Sequence, residues 1–300
     1  MIGLPRLGDW AAVFRIHQWL KNFLIFVPTL SAHQISNTKI WLLLALSFAS
    51  FSLCASAVYI VNDLVDLQSD RNHPRKSNRP FASGRVPIWV GIALVPVLLA
   101  GSLWLGFLVT GLFVRCLVIY YFLTCVYSFG LKRVIIVDCL TLSVLYTMRI
   151  IAGAAAAQLT LSFWLLAFTA FLFLSLAFVK RYAELELQIM SGVRAVPGRG
   201  YLTSDAPLIQ TFGVTSGYAS AIVLSLYINS DAVLKLYHHP EIIWGAVPVL
   251  LFWISWMWMQ AHRGKMHDDP ILFAVKDVFS VVAGLVFVLI VVAGTGDLPW

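Results

Sequence analysis

The side chains best suited to chemistry lie in one short stretch, NDLVDLQSDRNHPRKSNRPFASG, at residues 62–84. On an α-helix, at about 100° per residue, four of its polar side chains fall within one sector about 100° wide. These are Asn62, Asp63, Asp66 and Asp70. Oxygen ligands on consecutive turns of one face suit a hard divalent ion, and Mg²⁺ usually completes its shell with water and substrate phosphate oxygens. The spacing therefore predicts a divalent metal site.

Basic residues follow these carboxylates directly, and they are Arg71, Arg75, Lys76, Arg79 and Arg85. A metal bridges phosphate oxygens while Arg and Lys neutralise the remaining charge, so the combination is typical of a site for a metal-chelating anion such as diphosphate. The alternative is a solvated loop in which acids merely balance bases. The position of the carboxylates on one face favours the metal–phosphate site.

A second charged cluster closes a later apolar segment, in the stretch LAFVKRYAELELQIM. On a helix, one sector about 100° wide contains Lys180, Arg181, Glu184 and Gln188, while Tyr182 and Glu186 lie on the other side. The alternative is a Lys/Arg pair that extends to the membrane surface, with partners one helical turn away. Together with the first cluster, a functional site is favoured.

Polar residues also interrupt other apolar segments. Arg15, Lys21 and Asn22 share one broad helical face near the start of the chain. Asp138 and Arg149 share a face of a later segment but are about 16 Å apart along the helix axis, too far to pair. Arg149 therefore needs a different partner, and an ionisable residue inside a membrane segment is a functional candidate by default. Its alternative is an arginine satisfied by helix carbonyls.

The elements that position these residues are membrane helices. Of the 300 residues, 60% are hydrophobic and 12% are charged, whereas a soluble domain has about 25% charged residues. We predict an all-α polytopic membrane protein with one domain spanning 1–300. At roughly 20 residues per span, nine segments qualify: 11–34, 41–67, 87–108, 112–130, 136–157, 161–182, 210–228, 242–261 and 277–295. The four cysteines form no CxxC pair and are predicted to be buried in helices.

The distribution of charge predicts an orientation. With nine spans, one side of the membrane receives all but four of the 21 Lys and Arg residues, the exceptions being Lys39, Arg115, Arg149 and Lys235. Basic loops are cytoplasmic, so the N-terminus is predicted inside and the C-terminus outside. The one-sided net charge of +7 suits lipid headgroups or a phosphorylated substrate. Because the basic residues are spread over short loops at a membrane surface, a nucleic-acid partner is not expected.

The first motif resembles the UbiA superfamily of intramembrane prenyltransferases. The family pattern N-D-x-x-D-x-x-x-D is matched from Asn62 to Asp70, and RP-x-x-SG is matched from Arg79 to Gly84. The second family motif, a D-x-x-x-D pair after a tyrosine, is absent, because Tyr182 is followed by glutamates. The stretches QWLKN (18–22), YS (127–128) and KRYAEL (180–185) instead resemble the decaprenyl-phosphate phosphoribosyltransferase branch.

That resemblance implies transfer of a 5-phosphoribosyl group from phosphoribosyl pyrophosphate (PRPP) to a polyprenyl phosphate in the cytoplasmic membrane, at a cavity open to the cytoplasm, for cell-wall biosynthesis. It implies Mg²⁺ held by Asn62, Asp66 and Asp70, and candidate catalytic residues Asp63, Asp66, Asp70 and Glu184. The remaining candidates, for substrate binding, are Lys21, Asn22, Arg75, Lys76, Arg79, Tyr127, Lys132, Arg149, Lys180, Arg181, Tyr182 and Glu186.

Two alternatives stay open from the sequence. One is an aromatic prenyltransferase using a prenyl diphosphate, which the missing aspartate pair argues against. The other is a lipid-phosphate transporter or carrier, but paired Gly or Pro breaks at mid-span positions, typical of transporters, are not evident. The sequence leaves open the lipid chain length, the choice between Glu184 and Glu186, and whether the chain forms a homo-oligomer.

Overall fold

A computed structural model of the chain describes residues 6–34, 37–72, 76–192, 198–231, 233, 237–266 and 269–296. Within these ranges the structure is helical and contains no β-strand. The α-helices are α1 Leu7–Val13, α2 Val27–Ser31, α3 Thr38–Val65, α4 Leu67–Arg71, α5 Ile88–Phe107, α6 Gly111–Phe129, α7 Val137–Ala157, α8 Phe163–Met190, α9 Ala206–Ile228, α10 Pro240–Ile243, α11 Ala246–His262, α12 Pro270–Lys276 and α13 Val278–Thr295. The 3₁₀-helices are Ile16–Phe26, Lys76–Asn78, Leu131–Arg133 and Thr203–Asp205.

Eight helical segments in the described part of the chain are long and apolar enough to cross a membrane. They are α3, α5, α6, α7, α8, Thr203–Ile228, Pro240–His262 and α13. The predicted all-α membrane fold is confirmed. The first of the nine predicted segments, 11–34, is not one long helix, because it divides into the end of α1, an eleven-residue 3₁₀-helix and α2.

The 3₁₀ segment Ile16–Phe26 follows from where its side chains pack. With three residues per turn, every third side chain lies on the same face, and that row contains Trp19, Asn22 and Ile25. The Trp19 indole N–H donates to Ser56 Oγ at 3.0 Å and the Asn22 amide donates to Ser52 Oγ at 3.0 Å. The two serines are one turn apart on α3, so this row of side chains is held along that helix.

The described chain divides into two compact units. The first comprises Met1–Phe129 and Met148–Thr160. Its core lies where α3 packs on α5, and reciprocal hydrogen bonds between Ser50 and Ser102 join the two helices, each hydroxyl donating to the other's carbonyl at 2.7 and 2.8 Å. This packing fixes the end of α3, which carries the first polar cluster.

The second unit comprises Gly130–Thr147 and Leu161–Trp300. Here α8, α9 and α11 pack closely around Trp258, whose indole N–H donates to Ser175 Oγ at 3.1 Å. A Cβ at Gly213 would lie 2.1 Å from the Trp258 ring, so only glycine allows this approach. The packing holds the last turns of α8, which carry the second cluster. That residues 1–300 form one domain stays a prediction.

Candidate functional site

The four predicted acidic-motif residues follow α3 into α4. Helix α3 ends at Val65 and Asp66 is its C-cap. The backbone N–H of Asp66 donates to the Asn62 carbonyl at 2.9 Å, and that of Asp70 donates to the Asp66 carbonyl at 2.8 Å. The helical hydrogen-bond pattern therefore continues across the boundary, and the side chains keep the spacing on which the metal prediction rests.

Two of these carboxylates are buried and meet at one arginine. Asp63 and Asp70 are 3% and 2% exposed. Arg79 Nη1 lies 3.1 Å from Asp63 Oδ1 and 2.5 Å from Asp70 Oδ2, and Arg15 also donates to Asp63 Oδ1. Burying a carboxylate is costly unless it is paired, and both arginines supply that pairing. We call Arg15, Asp63, Asp70 and Arg79 the first-unit cluster.

The donor set of this cluster fits a divalent cation. One positively charged nitrogen is within 3.1 Å of oxygens from both Asp63 and Asp70, so Arg79 occupies the kind of position that a metal ion would take. Among the described residues, no group of three or more His, Cys, Asp or Glu side chains is arranged to hold a metal. Magnesium needs only one or two carboxylates when substrate phosphate completes its shell. Asn62 and Asp66 of the same motif are half-buried, and their metal role stays a prediction.

The other predicted residues of the first unit have mixed environments. Lys76 is exposed in the turn Lys76–Asn78, and Tyr127 is half-buried on α6. Arg85 pairs with the buried Asp9 at 3.0 Å rather than with the first-unit cluster. Arg75 lies outside the described residues.

Arg149 is buried within a span and has the different partners that the sequence required. Its Nε donates to Asn22 Oδ1 at 3.0 Å and its Nη2 donates to Tyr120 Oη at 2.8 Å. The prediction of a partner other than Asp138 is confirmed. Neighbouring Lys21 is also buried, at 6% exposure. These contacts connect α7 with the 3₁₀ segment and α6, all within the first unit.

In the second unit, two arginines and two acids alternate in a closed ring. Arg181 Nη2 is 2.7 Å from Asp138 Oδ2, and Arg181 also pairs with Glu184 Oε2. Arg199 completes the ring, with Nη1 3.1 Å from Asp138 Oδ1 and Nε 3.3 Å from Glu184 Oε2. The predicted neighbours Arg181 and Glu184 are therefore in contact. We call Asp138, Arg181, Glu184 and Arg199 the second-unit cluster.

Tyr201 supports this cluster from one side. The Arg181 guanidinium carbon lies 5.5 Å from the centre of the Tyr201 ring, within range of a cation–π interaction. The Tyr201 hydroxyl accepts a hydrogen bond from the Ile136 backbone N–H at 2.9 Å. Burial raises the pKa of Tyr201 above its ordinary value, and the nearby Cys139 thiol adds to that shift. The hydroxyl therefore stays protonated at neutral pH.

Other predicted residues of the second unit lie outside the ring. Lys180 Nζ is 3.6 Å from Asp269 Oδ2, which also accepts from the Tyr146 hydroxyl at 3.1 Å. Asp269 caps α12 by accepting a hydrogen bond from the Ile271 N–H. The hydroxyl of Tyr182 is 2.9 Å from His262 Nδ1. Lys132 and Glu186 are half-buried.

Sequence reasoning missed three members of these clusters as site residues. Arg15, Asp138 and Arg199 complete the ion pairing, yet Arg15 and Asp63 are 48 positions apart, and Asp138 and Arg199 are 61 apart. Burial of a single charge in an apolar segment was the available signal, and it was visible for Asp138 and Arg15. Nothing in the local pattern indicated Arg199.

Comparison with known proteins identifies the family. A model of the UbiA prenyltransferase family matches residues 23–281, most of the chain. The chain belongs to the UbiA prenyltransferase family. A solved structure, a UbiA homolog from Archaeoglobus fulgidus bound to GPP and Mg²⁺, has a TM-score of 0.70 at 14% identity, covering 96% of this chain and 99% of that one. This UbiA-family chain therefore has the UbiA fold, and its description as an integral membrane protein of a transferase family is confirmed.

Three proteins of known sequence are similar to this chain over most of its length. Nodulation protein NoeC of Azorhizobium caulinodans is 36% identical over 92% of this chain and 91% of its own. Decaprenyl-phosphate phosphoribosyltransferase of Corynebacterium glutamicum is 36% identical over 70% of this chain and 64% of its own. The uncharacterized protein y4nM of Sinorhizobium fredii is 37% identical over 90% of this chain. The chain spans about half the length of that last relative, at 52%.

Proposed function

We propose that this UbiA-family chain transfers a 5-phosphoribosyl group from PRPP to a polyprenyl phosphate. An oxygen of the lipid phosphate forms a bond to the anomeric carbon of the ribose. The bond from that carbon to pyrophosphate breaks, and pyrophosphate leaves with the electron pair. Because the lipid phosphate is already anionic near neutral pH, the site needs no strong general base. It must position two anions and stabilise the leaving group.

The observation that carries this proposal is the ion pairing of the second-unit cluster. Ordinary aromatic prenyltransferases of the family have a second aspartate pair after a tyrosine in the segment that corresponds to α8. Here Glu184 follows Tyr182, and it is already paired with Arg181 and Arg199, as is the neighbouring Asp138. A neutralised ring supports one metal–diphosphate site in the chain rather than two. The 36% identity to a decaprenyl-phosphate phosphoribosyltransferase supports the same donor and acceptor.

We assign the donor diphosphate to the first-unit cluster. Asp63 and Asp70 converge on one cation, and with Asn62 and Asp66 they are the residues that would hold Mg²⁺. When bound, Mg²⁺ supplies charge neutralisation for the leaving pyrophosphate. Arg79, which is half-buried beside both carboxylates, is positioned to donate to diphosphate oxygens.

Several further assignments belong to the same proposal. Lys76 and Lys132 are candidates for donor phosphates, and Lys21 and Asn22 for either phosphate. We also propose that segment 11–34, although not one long helix, crosses the membrane as a ninth span. This places the N-terminus inside, the C-terminus outside and the site towards the cytoplasm, because Lys and Arg concentrate on that side of the nine predicted segments. The lipid tail would lie among apolar helices and open into the bilayer.

A reconstitution assay tests the function. The purified full chain is incubated with Mg²⁺, labelled PRPP and a polyprenyl phosphate, and a lipid-extractable phosphoribosyl product is expected. Chelation of the metal with EDTA should remove product, and excess Mg²⁺ should restore it. Turnover only with a prenyl diphosphate and an aromatic acid would instead establish the aromatic prenyltransferase. Transfer of lipid phosphate between vesicles without chemistry would establish a carrier.

A further inference from the structure

The second-unit cluster has an inner pair and an outer pair. The side chains of Arg181 and Asp138 are completely buried, at 0% exposure, whereas those of Arg199 and Glu184 are 19% and 33% exposed. The inner pair is joined at 2.7 Å, and its charges cancel. Solvent, and therefore a ligand, reaches the cluster from the side of Arg199 and Glu184.

Arg181 is not available to a ligand. Its guanidinium pairs with Asp138 and Glu184 and its flank lies near the Tyr201 ring. Breaking either ion pair to admit a substrate would leave a fully buried charge with less compensation, which is strongly unfavourable. The guanidinium that a substrate can reach in this cluster is that of Arg199.

The turn that carries Arg199 is fixed. Gly200 lies against the Arg133 carbonyl so closely that an added Cβ would be 2.6 Å from the oxygen. Tyr201 is 1% exposed and its hydroxyl accepts from the Ile136 N–H at 2.9 Å. A side chain on a fixed turn loses less freedom when it binds a ligand, which favours binding.

We propose that Arg199 binds a phosphate group of an anionic substrate, while Arg181 is a positioning residue that holds Glu184 and Asp138 behind it. The planar guanidinium fork of arginine matches phosphate oxygens, and a charge-assisted pair is stronger than a neutral hydrogen bond. Asp138 and Glu184 both remain paired with Arg181 when Arg199 turns to phosphate. The identity of the substrate rests on the proposed function, and the phosphate belongs either to PRPP or to the lipid.

Steady-state kinetics of the full chain test this assignment. Arg199→Gln should raise the KM for one phosphorylated substrate at least about tenfold and leave the KM for the other unchanged. Its Tm should fall only slightly, because the completely buried Asp138 keeps Arg181 as its partner. A rise for PRPP assigns the donor phosphate, and a rise for polyprenyl phosphate assigns the acceptor. Arg199→Lys should give a KM between those of wild type and Arg199→Gln, since lysine keeps the charge but lacks the planar guanidinium fork. The exposed Arg263→Gln controls for net charge. Two unchanged KM values, or a large loss of Tm with both KM values altered, would overturn the proposal.

A direct binding measurement separates this proposal from the proposed function. Inorganic phosphate and inorganic pyrophosphate are titrated calorimetrically into wild type, Arg199→Gln and Arg263→Gln without lipid or sugar. Binding that weakens at least about tenfold in Arg199→Gln alone supports the assignment even if the wild type does not turn over PRPP. Equal binding by all three, or no binding of either anion by wild type, refutes it. A chain that binds phosphate through Arg199 but makes no phosphoribosyl lipid refutes only the proposed function.

Discussion

The two charge clusters contain the same numbers of arginines and acids but bury them differently. In the first-unit cluster both of the most buried charges are carboxylates, Asp63 and Asp70, and the arginines are the more exposed members. In the second-unit cluster the most buried charges are opposite, Asp138 and Arg181. Two buried acids repel each other and require a cation from outside, whereas a buried acid and arginine compensate each other. The first-unit cluster is thus suited to exchange an arginine for a metal ion as its cation. The second-unit cluster is suited to keep its inner pair, Asp138 and Arg181, together.

The largest expected effect is on the stability of the second unit. Among the described residues, Asp138→Asn leaves the completely buried Arg181 with only the more exposed Glu184 as an acidic partner. Removing one member of a buried pair costs about 3–5 kcal/mol. Thermal unfolding in detergent measures the loss. Glu184→Gln is the matched control and should cost much less, because that side chain is 33% exposed. Equal losses in the two variants would contradict the distinction between inner and outer pairs.

The next effect is on activity, through the first unit. Asp66→Asn removes a predicted metal ligand and should lower phosphoribosyl transfer about 10²–10³-fold, the cost of removing one preorganised electrostatic contact. Its Tm should change little, because Asp66 is half-buried. Asp205→Asn, at a turn outside both clusters, is the control and should retain activity. An active Asp66→Asn chain would remove Asp66 from the metal site.

The comparison also explains what the sequence could predict. Hydropathy predicted the eight long helices, because about 20 apolar residues in a row specify a membrane span. It ended the sixth predicted segment at 182, although α8 continues to Met190, because charge lowers hydropathy while Glu, Leu and Gln still favour helix. The prediction for Ile16–Phe26 assumed the roughly 3.6 residues per turn of an α-helix. The segment is a 3₁₀-helix, in which every third side chain lies on the same face.

For the two charge clusters, the sequence likewise predicts local features and not contacts between distant segments. The spacing from Asn62 to Asp70 is local, and the helix preserves it across Asp66. The partners of these acids are not local, since ion pairs such as Arg15 with Asp63 and Arg199 with Asp138 join distant segments. A single sequence carries no signal for such pairing. It indicated which charges had to be compensated and not which side chains compensate them.

Exchange of the cation in the first unit gives a third, smaller effect. Arg79→Gln removes the nitrogen that lies between Asp63 and Asp70, so a divalent ion no longer competes with it. Without substrate, the Kd for Mn²⁺ measured by electron paramagnetic resonance should fall about tenfold, the equivalent of one charged hydrogen bond of about 1.5 kcal/mol. The exposed Arg71→Gln is the control for net charge and should bind Mn²⁺ like wild type. Weaker binding by Arg79→Gln would mean that the arginine organises the carboxylates rather than competing for them.

The smallest effect comes from the pair beside the second-unit cluster. Lys180 Nζ and Asp269 Oδ2 are 3.6 Å apart, and Lys180 is 29% exposed, so water screens the pair and its coupling should be below about 1 kcal/mol. A double-mutant cycle with Lys180→Met and Asp269→Asn measures it by thermal unfolding, and asparagine preserves the cap on α12. A cycle that gave a coupling as large as the Asp138→Asn loss would show that the inner, closed pairing is not what makes the second-unit cluster stable. A small coupling would indicate that the second-unit cluster is stable because both Asp138 and Arg181 are buried, whereas Lys180 is partly exposed.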